Sequence, residues 1–166
     1  MKIINKLQFA ICVVLVGFFA SCHITNKEEP ITPTTNEEGE TIETKIYEAS
    51  GILTIPTSGF TKENLRTKIV LAGPDSMDIY MYEVKFAAAM PVTIDMIISG
   101  VHYAKEGNQI NFHGDSIVPT AGNKPYENHI VTNLIGTITA DSIKLSNNYG
   151  STPSVYAGKL VSTDNK

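Results

Sequence analysis

The sequence has no tryptophan, only two cysteines, and a charged fraction of just 18%. Each scarcity excludes something. Cys12 lies inside an apolar N-terminal run and Cys22 directly after it. No disulfide can therefore form in the chain beyond them, and a secreted domain built this way must be held by its core alone. Thirteen Lys and Arg against seventeen Asp and Glu leave a net charge of −4, so no basic patch exists for nucleic acid. Gly-x-Ser-x-Gly, His-Glu-x-x-His and Gly-rich phosphate loops are all missing. The expectation is a protein without catalytic residues, metal or cofactor. At 166 residues the chain has room for one domain once its ends are set aside.

What is present begins with a sorting signal. Lys2 and Lys6 precede an unbroken apolar run, Phe9 to Ala20, shorter than the roughly 20 residues a membrane-crossing helix takes. A charged start, a short apolar core and small residues after it make a signal peptide over residues 1–21. Phe19-Ala20-Ser21-Cys22 resembles the lipobox of bacterial lipoproteins, in which the Cys is lipidated and becomes the new N-terminus. Cys22 is thus the expected lipidation site and the membrane the first expected partner, since two or three acyl chains anchor firmly where one does not.

Residues 22–44 form the expected tether. Between 23 and 44 stand six Glu, six Thr, two Pro and a single Lys, a net charge of −6 + 1 = −5. So acidic a segment, with Ile as its only large apolar residue, cannot offset its ordering entropy and is expected to be an extended, disordered spacer. Lys27-Glu28-Glu29 resembles the acidic signals that send some lipoproteins to the outer face of the outer membrane. The expected location is the outer membrane, on its periplasmic or cell-surface side.

From residue 45 to 162 the dominant period is two. Tyr47, Ala49, Gly51, Leu53 and Ile55 alternate with polar residues, as do Val92, Ile94, Met96 and Ile98, and Ile130, Leu134 and Ile138 share a parity. Turn signals separate the runs at Gly73-Pro74-Asp75, Gly107-Asn108, 121–125 and 147–150. Only Thr61–Leu65 suits a helical turn. Eight or nine short strands with mostly short connections predict an all-β fold, an antiparallel up-and-down meander closed into an eight-stranded barrel. A barrel of that size has room for packed side chains or one small ligand. Residues 163–166 are a C-terminal tail.

Met90-Pro91-Val92-Thr93-Ile94-Asp95-Met96, Asp115 to Thr120 and Leu134 to Thr139 resemble the calycin-like (lipocalin-like) lipoproteins of gut anaerobes. The resemblance covers about 45–160 and implies an eight-stranded calycin-like barrel, without a settled activity or functional residues to carry over. Where true lipocalins have Gly-x-Trp, this chain has Gly51-Ile52-Leu53.

Four groups of residues are candidates for function. Tyr80, Tyr82, Val84 and Phe86 share one parity, and with Met96 they would line a lumen for a small apolar ligand, with tyrosine hydroxyls as polar anchors. The opposite parity, Met77, Ile79 and Met81, would then be an outer patch. A two-residue Gly107-Asn108 loop sets His102 opposite His113, both pointing to solvent. Two imidazoles fall short of the three or four protein ligands of a zinc site. Asp75-Ser76-Met77, Asp115-Ser116-Ile117 and Asp141-Ser142-Ile143 match an O-glycosylation acceptor pattern of exported proteins, with Ser76, Ser116 and Ser142 as acceptors; turn capping by Asp and Ser is the plainer account. Asp95 and Glu83 come together on neighbouring strands and are expected at the surface. Three functions fit: a carrier of a small apolar ligand, a filled barrel presenting loops such as Pro119–Asn128 to a protein or glycan, or a hydrolase inhibitor acting through Ala121–Pro125.

Overall fold

The computed structural model describes residues 44–161. The expected signal peptide, Cys22, the tether as far as residue 43 and the C-terminal tail lie outside them. Ten strands follow in chain order: β1 (Ile46–Ile55), β2 (Phe60–Leu71), β3 (Ser76–Val84), β4 (Ile94–Glu106), β5 (Gln109–Gly114), β6 (Thr120–Ala121), β7 (Lys124–Pro125), β8 (Val131–Ile138), β9 (Ser142–Tyr149) and β10 (Thr152–Leu160). A single 3₁₀ turn, Glu127–His129, precedes β8.

Each long strand pairs antiparallel with the next, and β10 returns to β1 from Ala49↔Leu160 to Thr54↔Val155. The result is a closed eight-stranded up-and-down barrel in the circular order β4-β3-β2-β1-β10-β9-β8-β5. The short β6–β7 hairpin is laid against the outside edge of β4 through Met96↔Ala121. Closure leaves no long strand with a free edge, which matters for a stretch, 44–161, that contains no cysteine. Inward residues from all eight strands, from Ala49 on β1 to Tyr156 on β10, form one buried cluster.

Strict alternation fails at four places, each a β-bulge with one residue at positive φ: Asn64 (53°), Glu83 (56°), Gly100 (71°) and Asn133 (52°). A bulge inserts one residue and moves everything after it to the other face. It also strips an amide of its ladder partner. Aspartates replace three of those partners. The Glu83 amide donates to Asp95 Oδ1 at 2.8 Å, the Gly100 amide to Asp78 Oδ1 at 3.2 Å, and the Asn133 amide to Asp115 Oδ1 at 2.9 Å.

These bulges correct three readings of the sequence. Thr61–Leu65 is no helical turn but the bulged start of β2. The bulge at Tyr82–Glu83 puts Met77, Ile79 and Met81 inside together with Val84 and Phe86, so the expected Met/Ile outer patch is core. The bulge at Asn133 turns Leu134 and Ile138 inward with Val131, while Ile130 is left exposed.

Candidate functional site

The lumen is crossed from wall to wall. β3 and β9 are four places apart in a circle of eight strands, hence opposite. The Tyr149 hydroxyl on β9 donates to the Met81 sulfur on β3 at 3.0 Å. Beside it, the Tyr156 hydroxyl donates to the Leu65 carbonyl at 3.3 Å, and Ser154 Oγ donates to Asn147 Oδ1 at 2.9 Å. Burial holds the Tyr149 phenol well above its usual pKa. Further from the Tyr149 end of the strands, side chains also close on the wall, Phe112 on Gly136 and Tyr156 on Gly158.

One rim is capped by aromatics. Phe86 packs on Tyr149 with centroids 4.9 Å apart, and His129 lies between Phe86 (5.6 Å) and Tyr126 (4.3 Å, nearly parallel). Desolvation lowers the His129 pKa, and its buried Nδ1 has no partner among the described residues. The chain enters β1 at the other rim, and β6–β7 belongs to the capped one.

The four expected ligand contacts do not meet at one surface. Phe86 and Met96 are buried in the core, whereas Tyr80 and Tyr82 stand on the outer wall under cations. Lys68 Nζ lies 4.8 Å from the Tyr80 ring and the Arg66 guanidinium 5.1 Å from that of Tyr82. The bulge at Tyr82–Glu83 is the physical reason, since it separates Val84 and Phe86 from the tyrosines that precede them.

A hollow of about 550 Å³ lies on the outer wall over β5, β8, β9 and β10. Ile135 (61% exposed) and Val155 (44%) form its apolar floor with Ala157, and His113, Asn111, Thr137, Lys144 and Ser146 line it as well. Bulging of β8 at Asn133 brings Ile135 to this face. No periodicity in the sequence marks it, because the hollow is assembled from four strands.

The remaining candidates fall where turn chemistry puts them. His102 and His113 are directly paired and exposed, their rings 6.0 Å apart. Asp115 and Asp141 have lowered pKa values, the first mainly through the Asn133 amide and then Ser116, the second mainly through the Thr139 hydroxyl and then Ser142. Ser116 is exposed, and Ser76 and Ser142 are half-buried. Asp95 and Glu83 do approach, but as carboxylate to backbone amide rather than as an acid pair. Ala121–Pro125 is a tight hairpin with Gly122 and Asn123 at positive φ, pinned to β4. Among the described residues no three His, Cys, Asp or Glu are grouped to hold a metal.

No family model, curated protein or solved structure matches the chain.

Proposed function

We propose that the chain is an outer-membrane lipoprotein anchored through Cys22, and that its barrel is a non-enzymatic interaction module which binds a protein partner on its outer wall. The single observation that carries this reading is the Tyr149–Met81 contact across the lumen. A lumen crossed just inside the capped rim, with Phe112 and Tyr156 packed on the wall beyond the crossing, favours binding on the outside. The outer hollow supports a protein over a small molecule. Small-ligand sites bury some 70–90% of their ligand, and a hollow on the outside of a sheet leaves one side of any small occupant wet. A partner surface covers both the hollow and its rim, with one apolar side chain resting on Ile135 and Val155.

The lipobox-like Phe19-Ala20-Ser21-Cys22, the acidic spacer and the resemblance to calycin-like lipoproteins support the anchoring. The chain enters the barrel at the rim opposite β6–β7, which favours presentation of that hairpin away from the membrane. A small apolar ligand is the second reading, favoured by the size of the hollow, about 550 Å³, which is within the range of ligand pockets. Its site would be the outer hollow rather than Tyr80, Tyr82, Phe86 and Met96.

Native mass spectrometry of the protein released from its own cell envelope tests the choice. The expected result is the chain's mass, with at most covalent sugar increments on the Ser76, Ser116 or Ser142 peptides. A non-covalent adduct of small-molecule mass, lost on denaturation, would overturn it in favour of a carrier.

A further inference from the structure

The Gly107-Asn108 turn fixes the β4–β5 register through Glu106↔Gln109 and Ala104↔Asn111, and so sets His102 directly opposite His113. Directly opposed residues on antiparallel strands have Cβ atoms about 5 Å apart on the same face of the sheet. Here that face is the outer one: both histidines are exposed, while Tyr103 and Phe112 between them are buried. The rings are 6.0 Å apart and inclined by 32°. The side-chain hydrogen bonds of this hairpin join Gln109 to Asn111 and Asn111 to Glu106, and do not involve either imidazole.

We propose that His102 and His113 form a two-imidazole chelate for a borderline transition-metal cation, Cu²⁺ first and Ni²⁺ or Zn²⁺ after it. With metal–nitrogen bonds of about 2.1 Å, the two rings of a chelate stand about 5 Å apart centre to centre. Rotation about the side-chain torsions closes the 1 Å that remains, and the strands stay in place. Two rigid strands thereby pre-orient both ligands. Imidazole selects such cations over Mg²⁺ and Ca²⁺, which take oxygen ligands, and copper heads the divalent series.

Such a site differs from a structural zinc centre. No third His, Cys, Asp or Glu joins the pair among the described residues, so half or more of the coordination positions stay with water. Asp115, two residues along from His113, has its carboxylate engaged by the Asn133 amide and the Ser116 hydroxyl, both at 2.9 Å. An open chelate exchanges its cation readily and contributes little to folding. His113 also lines the outer hollow, so a cation held here sits at its margin.

The test is calorimetric titration of the full chain in detergent with CuSO₄ in a non-coordinating buffer, accompanied by electron paramagnetic resonance of the cupric complex. The expected result is one Cu²⁺ per chain with hyperfine structure from two imidazole nitrogens, and no heat with Ca²⁺. His102→Ala and His113→Ala should each weaken binding by at least about tenfold, since even second-sphere changes cost that much. Both side chains are exposed, so both variants should keep the parent's circular dichroism. His23→Ala and His129→Ala control for the other two histidines and should bind as the parent does. Undiminished binding in either His102→Ala or His113→Ala, loss of binding in His23→Ala alone, or no binding by the parent would overturn the proposal.

Discussion

Tyr149 and Met81 face each other from opposite strands of the barrel, and the hydroxyl of one donates to the sulfur of the other at 3.0 Å. Both side chains are at most 1% exposed. A thioether is a weak acceptor, so most of the stabilisation comes from the ring packing on Phe86 and the lumen wall. Tyr149→Phe should cost about 1 kcal/mol, the worth of one hydrogen bond. Tyr149→Ala should cost about 3–5 kcal/mol through loss of packing and the cavity left behind. Urea denaturation of the two variants measures both.

The aspartates at the bulges have a role that their exposed positions conceal. Asp95→Ala and Asp78→Ala each strand an amide, of Glu83 and of Gly100 respectively. Partial hydration of these outer positions limits each loss to about 1 kcal/mol. Asp95→Asn keeps an acceptor and should recover most of it, visible as a smaller shift in the urea midpoint.

Acid should destabilise the barrel in two steps. Desolvation depresses the His129 pKa below its usual 6.5. Its neutral form therefore contributes stability above the unfolded value, and this is lost as pH falls through the folded one. Asp115 and Asp141 are likewise depressed, from 3.8, by bonds to the Asn133 amide and the Thr139 hydroxyl. Their contribution holds above about pH 4 and disappears as pH falls through their folded values. Thermal melts against pH should show the upper step vanish in His129→Phe and the lower one shrink in Asp115→Asn.

Two glycines should differ in tolerance. A Cβ on Gly51 meets only backbone, of Ala157 and Gly158, where β1 and β10 press together, whereas one on Gly136 meets the ring of Phe112 most closely and the Lys144 carbonyl after it. A ring can tilt and a paired strand cannot. Gly136→Ala should cost about 1–3 kcal/mol, the usual range for overpacking. Gly51→Ala should exceed it, to the point of blocking barrel closure, as comparative thermal melts of the two variants would show.

How much was legible in the sequence follows from where period two survives. Tyr47 to Ile55 and Gln109 to Gly114 alternate without interruption along their inward faces, and the Gly107-Asn108 turn gave the His102–His113 register residue for residue. A meander with short links has little choice but to close on itself, so the barrel too was readable. The bulges were not. Nothing in Tyr82-Glu83 or Asn133-Leu134 announces an extra residue, because a bulge is stabilised from a distance, by Asp95 twelve positions on and by Asp115 eighteen positions back. The misassigned faces of the tyrosines and of Ile130 trace to these slips, whereas Val92, 63% exposed, lies before β4 begins. The outer hollow was invisible for a related reason: Ile135, Val155 and Ala157 become neighbours only once three strands are in register.

The most direct test of a filled lumen is titration of the detergent-solubilised protein, labelled with ¹³C at its methionine methyls, with benzene, a probe that enters dry apolar cavities. Met77, Met81 and Met96 report from inside the barrel, each at most 1% exposed. Their resonances should stay fixed in the parent, and that of Met81 should shift saturably in Tyr149→Ala, where the crossing side chain is gone. A saturable shift of Met81 in the parent would contradict a filled lumen, and would return the lumen to the role of a ligand site.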